Sequence, residues 1–513
     1  MSSMRRFTRR EFIKAAGGFV SAAAIAPALL RGSEALGDRR FNILFLMTDQ
    51  HNHSVLGCAG NPIVKTPNLD KLAGRGARFT NAVCATPFCS PTRASFITGL
   101  WPHTHGVVAN VDGTKPGLTD DVTATEQILF DKGYETFQMG KWHLGDTADL
   151  RCYRKEQERL SQEAYREYLK GLSRDKWDKP REGEVQEDDV CLTPEMAEIH
   201  NTWKDEKRRS AQNLSTIGRS LRPPEYSYES WLADRCTELI RKYRDENFMI
   251  TWSVSPPHAL WIVPDPYYSM YDPEKMPLPP SWKDHPEAYQ DSQAARMGRL
   301  MGEKRLREWL RCYYGQVTMM DWCMGRILDA LDKEGLERDT LVVFTSDHGD
   351  MQAAHGMIGK SLPGHYEEIV RVPLIIRYPR AIKPGTVINT HASSVDMMPT
   401  LLDFAGLPIP KDVQGVSLKS LVEGKASEDD RPAFCERGKG GQSYGRMIRT
   451  REWKYAVFSG GRRELFALKE DPHEMNNLAE DSSHRAVLAK LHKQLRRHMK
   501  ETSDPALEAL PKD

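Results

Sequence analysis

Residues 41–50 read Phe41-Asn42-Ile43-Leu44-Phe45-Leu46-Met47-Thr48-Asp49-Gln50, an almost unbroken apolar run that ends in an acid and an amide. Apolar residues without polar alternation suit a strand covered on both faces, as in a parallel sheet flanked by helices. Phe248–Val254, Leu341–Thr345 and Pro373–Tyr378 have the same texture. Helical patterns separate them, for example at Val317–Glu334 and Ser394–Phe404. The fold class is therefore α/β, with ligands expected at the carboxyl ends of the strands.

Two of these strands end in matching chemistry. The first delivers Asp49 and Gln50, and the run at 341–345 delivers Asp347 and His348 within Ser346-Asp347-His348-Gly349-Asp350. Two carboxylates, an amide oxygen and an imidazole suit one fairly hard divalent cation, Ca²⁺, Mg²⁺ or Mn²⁺. Asp350 reads equally as a turn cap or a ligand and stays outside the set. Between the two strands lies Cys89-Ser90-Pro91-Thr92-Arg93-Ala94-Ser95-Phe96-Ile97-Thr98-Gly99. Pro91 suits a first helical turn and Gly99 a helix end, which puts Cys89 at a helix N-terminus. Free amides there favour negative charge on a reacting group. Cys89 reads as a low-pKa thiolate or as a small buried hydrophobe.

The whole chain narrows the function classes. Its 513 residues include 72 Lys and Arg against 71 Asp and Glu, a net charge of +1, so bulk electrostatics offers nothing to nucleic acid. A 39% hydrophobic fraction argues against disorder, and past the first 37 residues no apolar run is long enough for a membrane span. Residues 1–37 read as an address. Arg5, Arg6, Arg9, Arg10 and Lys14 precede a weakly apolar Ala/Gly-rich run that closes on Ala35-Leu36-Gly37, a cleavage pattern. Thr8-Arg9-Arg10-Glu11-Phe12-Ile13-Lys14 resembles a twin-arginine export signal. That segment holds six basic and two acidic residues, which leaves the mature chain at −3. The nine cysteines are scattered without a Cys-x-x-Cys pair, which disfavours a zinc ribbon. Residues 150–230 are densely charged and read as a solvated helical insertion, or as a lid shaping substrate choice. From about 415 the texture changes again. Strand-like Met447–Phe458 and Glu464–Leu468 precede an amphipathic helix at Ser483–Lys500, and 416–513 is expected to form a small α+β C-terminal subdomain.

Cys89-x-Pro91-x-Arg93 resembles the signature of the type I sulfatases of the alkaline-phosphatase superfamily. Gly140-Lys141-Trp142-His143-Leu144-Gly145, Pro256-Pro257-His258, the 346–350 segment with Lys360, Tyr366-Glu367-Glu368, Trp453-Lys454-Tyr455 and Glu464-Leu465-Phe466 are similar to further segments of that family, in its order. The resemblance spans nearly all of 41–480 and is weakest over 150–230. It implies a large mixed, mostly parallel sheet flanked by helices, a catalytic domain over 38–415, and a sulfatase hydrolysing a sulfate monoester, by default of a saccharide. It implies that a maturation enzyme oxidises Cys89 to formylglycine, whose hydrated gem-diol attacks sulfur with one hydroxyl and expels sulfate with the other. Asp49, Gln50, Asp347, His348 and the oxygen at residue 89 would hold the metal, with Ca²⁺ the first expectation and Mn²⁺ or Mg²⁺ the alternatives. Arg93 would brace the diol, and Lys141 and Lys360 would hold sulfate oxygens. His258 would protonate the leaving oxygen or bind sulfate, His143 would take the diol proton, and Asn110 would donate to the same anion.

The chain departs from the commonest sulfatase pattern in carrying Asp49-Gln50 for Asp-Asp and Asp347-His348 for Asp-Asn. One fewer carboxylate leaves the first shell less negative, and imidazole suits Mn²⁺ better than Ca²⁺. The same pairs occur in phosphonate monoester hydrolases and phosphodiesterases of the superfamily, which are the alternative. A third class, a non-catalytic binder never matured at Cys89, keeps the fold without the chemistry. The resemblance and the signal together place the protein outside the cytoplasm, in the periplasm or beyond. His103 and His105 read as structural. Tyr267, Tyr268 and Tyr271 read as a loop's packing core, or as a platform for a sugar.

Overall fold

The computed structural model describes residues 41–112, 117–119, 122–145, 160–198, 217–440 and 443–511; residues 1–37, expected from sequence to be an export signal, lie outside them. The described residues form one compact unit. In chain order the strands begin β1 (Asn42–Asp49), β2 (Ala77–Val83), β3 (Glu135–Gly140), β4 (Val185–Glu187), β5 (Val190–Leu192), β6 (Ile217–Ser220), β7 (Phe248–Pro257) and β8 (Trp261–Pro264). They continue as β9 (Thr340–Ser346), β10 (Arg371–Arg377), β11 (Thr386–Ile388), β12 (Ala392–Ser393), β13 (Ala433–Gly440), β14 (Ser443–Arg449), β15 (Trp453–Phe458) and β16 (Arg463–Ala467).

The largest sheet has eight strands in the order β11-β2-β10-β9-β1-β7-β3, with β12 also paired to β2. Every strand in it runs one way except β10, which is antiparallel to both neighbours. β1 is buried along its whole length because both faces are covered. Leu44 and Leu46 pack on the side of Trp309, Tyr313 and Val317 from the long Gln293–Lys333 helix. Ile43, Phe45 and Met47 pack on the side of Phe96, Leu401 and Leu402. That two-sided burial explains the missing polar alternation. It also explains a correction: the apolar run at 373–378 signals burial on both faces but says nothing of strand direction, and β10 is the reversed strand.

Among its described residues, the charged insertion is less helical and less solvated than its composition suggests. It contains the Gln162–Lys170 helix, but also β4, β5 and β6, which join β8 in a four-stranded sheet. Arg219 in β6 is fully buried and pairs with Asp178 at 2.6 Å and Glu184 at 2.7 Å. Part of the dense charge is thus internal pairing rather than a wetted face. At the C-terminal end, β13-β14-β15-β16 form a separate antiparallel sheet, with the Arg485–Glu501 helix packed on it. No helix among the described residues is long and apolar enough to cross a membrane, and the eight described cysteines are free.

Two histidines tie the first half of the chain to the last. His103 bonds the Glu436 carboxylate at 2.7 Å and the Thr502 carbonyl at 3.0 Å. The ring of His498 stacks on Phe434, with centroids 3.7 Å apart, and meets the Trp101 ring edge-on at 5.0 Å. Burial first, and the nearby His103 charge second, push His498 down to about 3 from 6.5. The unfolded chain therefore takes up this proton first, so the contribution is complete above pH 6.5 and is lost as pH falls toward 3. Replacing the ring by a non-titrating one isolates the effect. His498→Phe should gain on the parent by up to about 2 kcal/mol between pH 6.5 and about pH 5. Melting midpoints of both proteins across that range measure it, and a constant gap between them would refute the assignment.

Candidate active site

β1 and β9 are adjacent and parallel, with Thr48 opposite Ser346, so their ends bring Asp49 and Asp347 together across 298 residues of sequence. The helix Cys89–Thr98 starts at the same edge. Cys89 occupies its first turn, and Gly99 closes it in the left-handed region at φ 67°, donating its N–H to the Ser95 carbonyl. Cys89 Sγ lies 2.9 Å from Lys360 Nζ, 3.2 Å from His348 Nε2 and 3.7 Å from Asp49 Oδ1. Donor atoms of Asp49, Cys89, Asp347 and His348 all fall within 4.8 Å of one another, and all four residues are buried.

The two carboxylates are turned by Arg93. Its Nη2 donates to Asp49 Oδ2 at 3.1 Å and its Nε to Asp347 Oδ2 at 2.9 Å. Lys141 Nζ reaches the same Asp49 Oδ2 at 2.5 Å. Each outer oxygen is thus neutralised, and each Oδ1 faces His348 Nε2, at 3.8 Å for Asp49 and 3.6 Å for Asp347. Two inward carboxylate oxygens and an imidazole nitrogen converging on one point form a donor set that fits a divalent cation. Burial raises the Asp49 carboxyl, but Lys141, Lys360, His258 and Arg93 outweigh it and hold it well below the usual range. Asp347 is pushed up by burial and by the Asp49 charge beside it. Two such carboxylates sharing a dry site invite a cation.

Gln50 has an unusual backbone, φ 64°, a region most side-chain-bearing residues avoid. Its N–H donates to Asp347 Oδ1 at 3.1 Å, and its carbonyl accepts from Tyr313 Oη at 2.5 Å. Its side-chain Nε2 donates to Asp350 Oδ2 at 2.6 Å, while Lys360 Nζ donates to its Oε1 at 3.1 Å. Asp350 thereby fixes which end of the amide faces Lys360 and the cluster.

Burial and Asp49 push the Cys89 thiol up, yet Lys141, Lys360 and His348 outweigh them and hold it well below the usual thiol range. The surroundings favour an anion at residue 89. Asn110 bonds Ser90 N–H through Oδ1 at 3.2 Å and places Nδ2 4.0 Å from Cys89 Sγ. His258 lies in electrostatic reach of Lys360, Asp49, Lys141 and Cys89; burial first, then Lys360, push it down to about 4. His143 also has a left-handed backbone, at φ 63°, and its Nδ1 is buried without a partner. Among the described residues no hydrogen bond joins His143 to Cys89.

Three supporting residues escaped sequence reasoning. Ser253 within β7 accepts from Arg93 Nη1 at 2.7 Å. Tyr313 holds Gln50, and Asp350 orients it. Only Asp350 carried a signal, its place beside Asp347 and His348. His105 sits buried on Ser95 at 3.1 Å, a structural role, as does the His103 lock. Tyr267, Tyr268 and Tyr271 are buried packing residues, and Arg311 lies over the Tyr268 ring at 3.9 Å.

Known proteins resemble this chain over most of its length. Residues 41–407 match the sulfatase family, and residues 354–501 match the N-sulphoglucosamine sulphohydrolase C-terminal family. The chain is 30% identical over 474 residues to an ulvan-active sulfatase of Formosa agariphila, covering 90% of this chain and 82% of that one. It is 31% identical over 473 residues to an arylsulfatase of Clostridium perfringens, covering 88% and 93%. The solved structure of a phosphonate monoester hydrolase from Silicibacter pomeroyi has the same fold, with a TM-score of 0.73 at 24% identity, over 91% of this chain and 97% of that one. Family match, fold and site chemistry agree that this chain belongs to the sulfatase family, enzymes of alkaline-phosphatase-like fold that hydrolyse sulfate esters.

Proposed function

We propose that this chain hydrolyses a sulfate monoester of a saccharide, using formylglycine formed from Cys89 and one divalent cation. The observation that carries the reading is the buried cluster itself: Cys89 at a helix N-terminus, within 2.9–3.7 Å of Lys360, His348 and Asp49. A relative named for activity on ulvan supports the saccharide. Asp49, Gln50, Asp347, His348 and the residue-89 oxygen are the proposed ligands. When bound, the ion supplies Lewis acidity at that oxygen; Ca²⁺ remains the first expectation, and the imidazole of His348 favours Mn²⁺.

The other residues act around it. The hydrated aldehyde at 89 presents two hydroxyls; one forms the new O–S bond while the S–O bond to the alcohol breaks. The second then re-forms the carbonyl and expels sulfate. Lys360 and Lys141 hold sulfate oxygens as charge develops, and Asn110 donates from the same side. Arg93 braces the carboxylates and residue 89. His258, depressed to about 4, is neutral at pH 7 in this setting, so it binds sulfate or relays a proton by donating an N–H. His143 takes the diol proton once substrate brings it into reach. We further propose that a formylglycine-generating enzyme matures Cys89, that the 1–37 segment sends the protein out by the twin-arginine route, and that 38–415 and 416–513 are the catalytic domain and C-terminal subdomain.

Gln50 and His348 favour a second reading, a phosphonate monoester hydrolase or phosphodiesterase, because the Asp49-Gln50 and Asp347-His348 pairs resemble those of that class and a solved phosphonate monoester hydrolase has the same fold. Co-expression with a formylglycine-generating enzyme separates the readings. Mass spectrometry of the peptide spanning residue 89 should show the aldehyde. The same preparation should hydrolyse 4-nitrophenyl sulfate faster than 4-nitrophenyl phenylphosphonate and bis(4-nitrophenyl) phosphate. The reverse rate order would establish the second reading. An intact thiol, beside a control sulfatase that was matured, would remove the mechanism.

A further inference from the structure

The backbone of Gln50 is fixed on both sides, which leaves its side chain the choice of which end of the amide points where. Its φ of 64° is locked by Asp347, which accepts from its N–H at 3.1 Å, and by Tyr313, which donates to its carbonyl at 2.5 Å. Lys360 Nζ lies 3.1 Å from Gln50 Oε1, 2.9 Å from Cys89 Sγ and 3.9 Å from Asp49 Oδ1. An ammonium only donates, so the oxygen end of the amide faces Lys360 and the cluster. The nitrogen end is left to Asp350 Oδ2, at 2.6 Å.

Asp350 is fully buried and carries a heavy load of acceptor bonds. Its Oδ1 accepts from the Gln352 N–H at 2.9 Å and the Gly359 N–H at 3.2 Å, and its Oδ2 accepts from Gln50 Nε2. Burial pushes this carboxyl up from its usual value. A proton on either oxygen would nonetheless point at a donor, so the arrangement requires the ionised form. The bond to Gly359 anchors the residue just before Lys360. Asp350 thus reaches the lysine by two routes, through the backbone at 359 and through the Gln50 amide.

The same load dictates the chemistry at position 50. A carboxylate there would set two acid oxygens 2.6 Å apart with no donor between them, like charges in a dry site. An amide supplies the donor that Asp350 needs and still leaves one oxygen for the cluster.

We propose that Asp350 is a positioning residue for the cation and sulfate site. It turns the Gln50 oxygen and Lys360 toward residue 89, and it is the reason position 50 carries an amide rather than a second carboxylate. The inference rests on the cation and sulfate roles proposed above and adds the residue that orients the groups filling them.

The test uses matured full-length protein freed of metal by chelation. Mn²⁺ and Ca²⁺ are titrated in by calorimetry, and inorganic sulfate serves as a competitive inhibitor of 4-nitrophenyl sulfate hydrolysis. Asp350→Asn keeps the shape and leaves Oδ1 on its two backbone donors, but turns an NH₂ toward Gln50 Nε2. The Gln50 amide must then flip and present its nitrogen to Lys360 and the ion. The Kd for Mn²⁺ should rise about tenfold or more, and the Ki for sulfate about tenfold. In a Gln50→Glu background the same Asp350→Asn change should act in the opposite direction and lower the Kd for Mn²⁺ about tenfold. There the new NH₂ has a carboxylate oxygen to bond, and the second oxygen is released to the cluster. A residue contributing only charge or packing would weaken binding in both backgrounds. Melting midpoints identify a variant that fails to fold, and the pair in the Gln50→Glu background still reads the sign of the effect. An unchanged Kd on Asp350→Asn alone, or a loss in both backgrounds, would overturn the inference and leave the sulfatase reading standing. A parent with an aldehyde at residue 89 that binds neither ion would overturn the inference and the cation role together. A parent that binds the ion and follows this cycle but hydrolyses no sulfate ester would uphold the inference and remove the sulfatase reading.

Discussion

Cys89→Ser, expressed with the maturation enzyme, should turn over once and stop. A serine offers one hydroxyl where formylglycine hydrate offers two. Its oxygen can form the O–S bond while the alcohol departs with a proton. The sulfated serine then has no geminal hydroxyl whose lone pair could re-form a carbonyl and expel sulfate, so release must await attack by water on a hindered sulfur. Steady-state kcat should fall by about 10³-fold or more. One equivalent of alcohol should appear in a burst, and the intact protein should gain the mass of one SO₃ group. The substitution is small and sits in a fully buried helical turn, with polar neighbours at Lys360 and His348 that accept a hydroxyl as readily as a thiol. The melting midpoint should therefore stay close to the parent, which separates lost chemistry from lost fold. Sustained turnover at a rate near the parent would show that residue 89 is not the nucleophile.

Arg449→Ala should produce the largest loss of stability. Arg449 lies at the end of β14 and is almost fully buried. It donates to Glu367 through Nη2 at 2.8 Å and Nε at 3.0 Å, and to His391 through Nη1 at 2.6 Å. Burial raises the Glu367 carboxyl, but Arg449 above all, with Lys454 and Arg371, holds it well below the usual range. Truncation leaves a buried carboxylate with partners 3.5 Å away in Lys454 and Arg371. Breaking a buried pair on one side destabilises by about 3–5 kcal/mol, and the remaining cations put this case near the lower end. Chemical denaturation should show the midpoint falling at constant slope. A companion variant, Arg449→Ala with Glu367→Gln, should recover part of the loss because it removes the stranded charge. If the single variant matched the parent, the network would be contributing nothing to folding.

Much of this was legible from local sequence, and the remainder divides by physical cause. β1 and β9 announced themselves because each is buried on both faces and ends in a polar cluster. Their spatial partnership followed from matching chemistry, not from pattern. β2, Ala77–Val83, was silent because Arg78, Thr80 and Asn81 interrupt its apolar positions at the sheet's margin. β4 and β5 have only three residues each, too short for periodicity to register. The run at Met447–Phe458 read as continuous strand, but Thr450–Glu452 turns it into two antiparallel strands. At the site, residues that touch the reacting centre carried motifs of their own. Those that hold them did not: Ser253 and Tyr313 are ordinary residues of a strand and a helix, and only tertiary packing makes them partners of Arg93 and Gln50.

Cys89 is 1% exposed, and the helix that begins with it is buried along nearly all of its length. A maturation enzyme of the kind proposed above could not reach its sulfur once that helix has docked between the ends of β1 and β9. Conversion and folding are then competitors on a clock. The closing contacts join residues near 49 and 89 to residues near 347 and 360, so the window opens when the pentapeptide emerges from the ribosome. It shuts only after about 270 further residues have been made. Long sequence separation, an obstacle to rapid folding, would become, under the proposed maturation, the interval in which the nucleophile can be made.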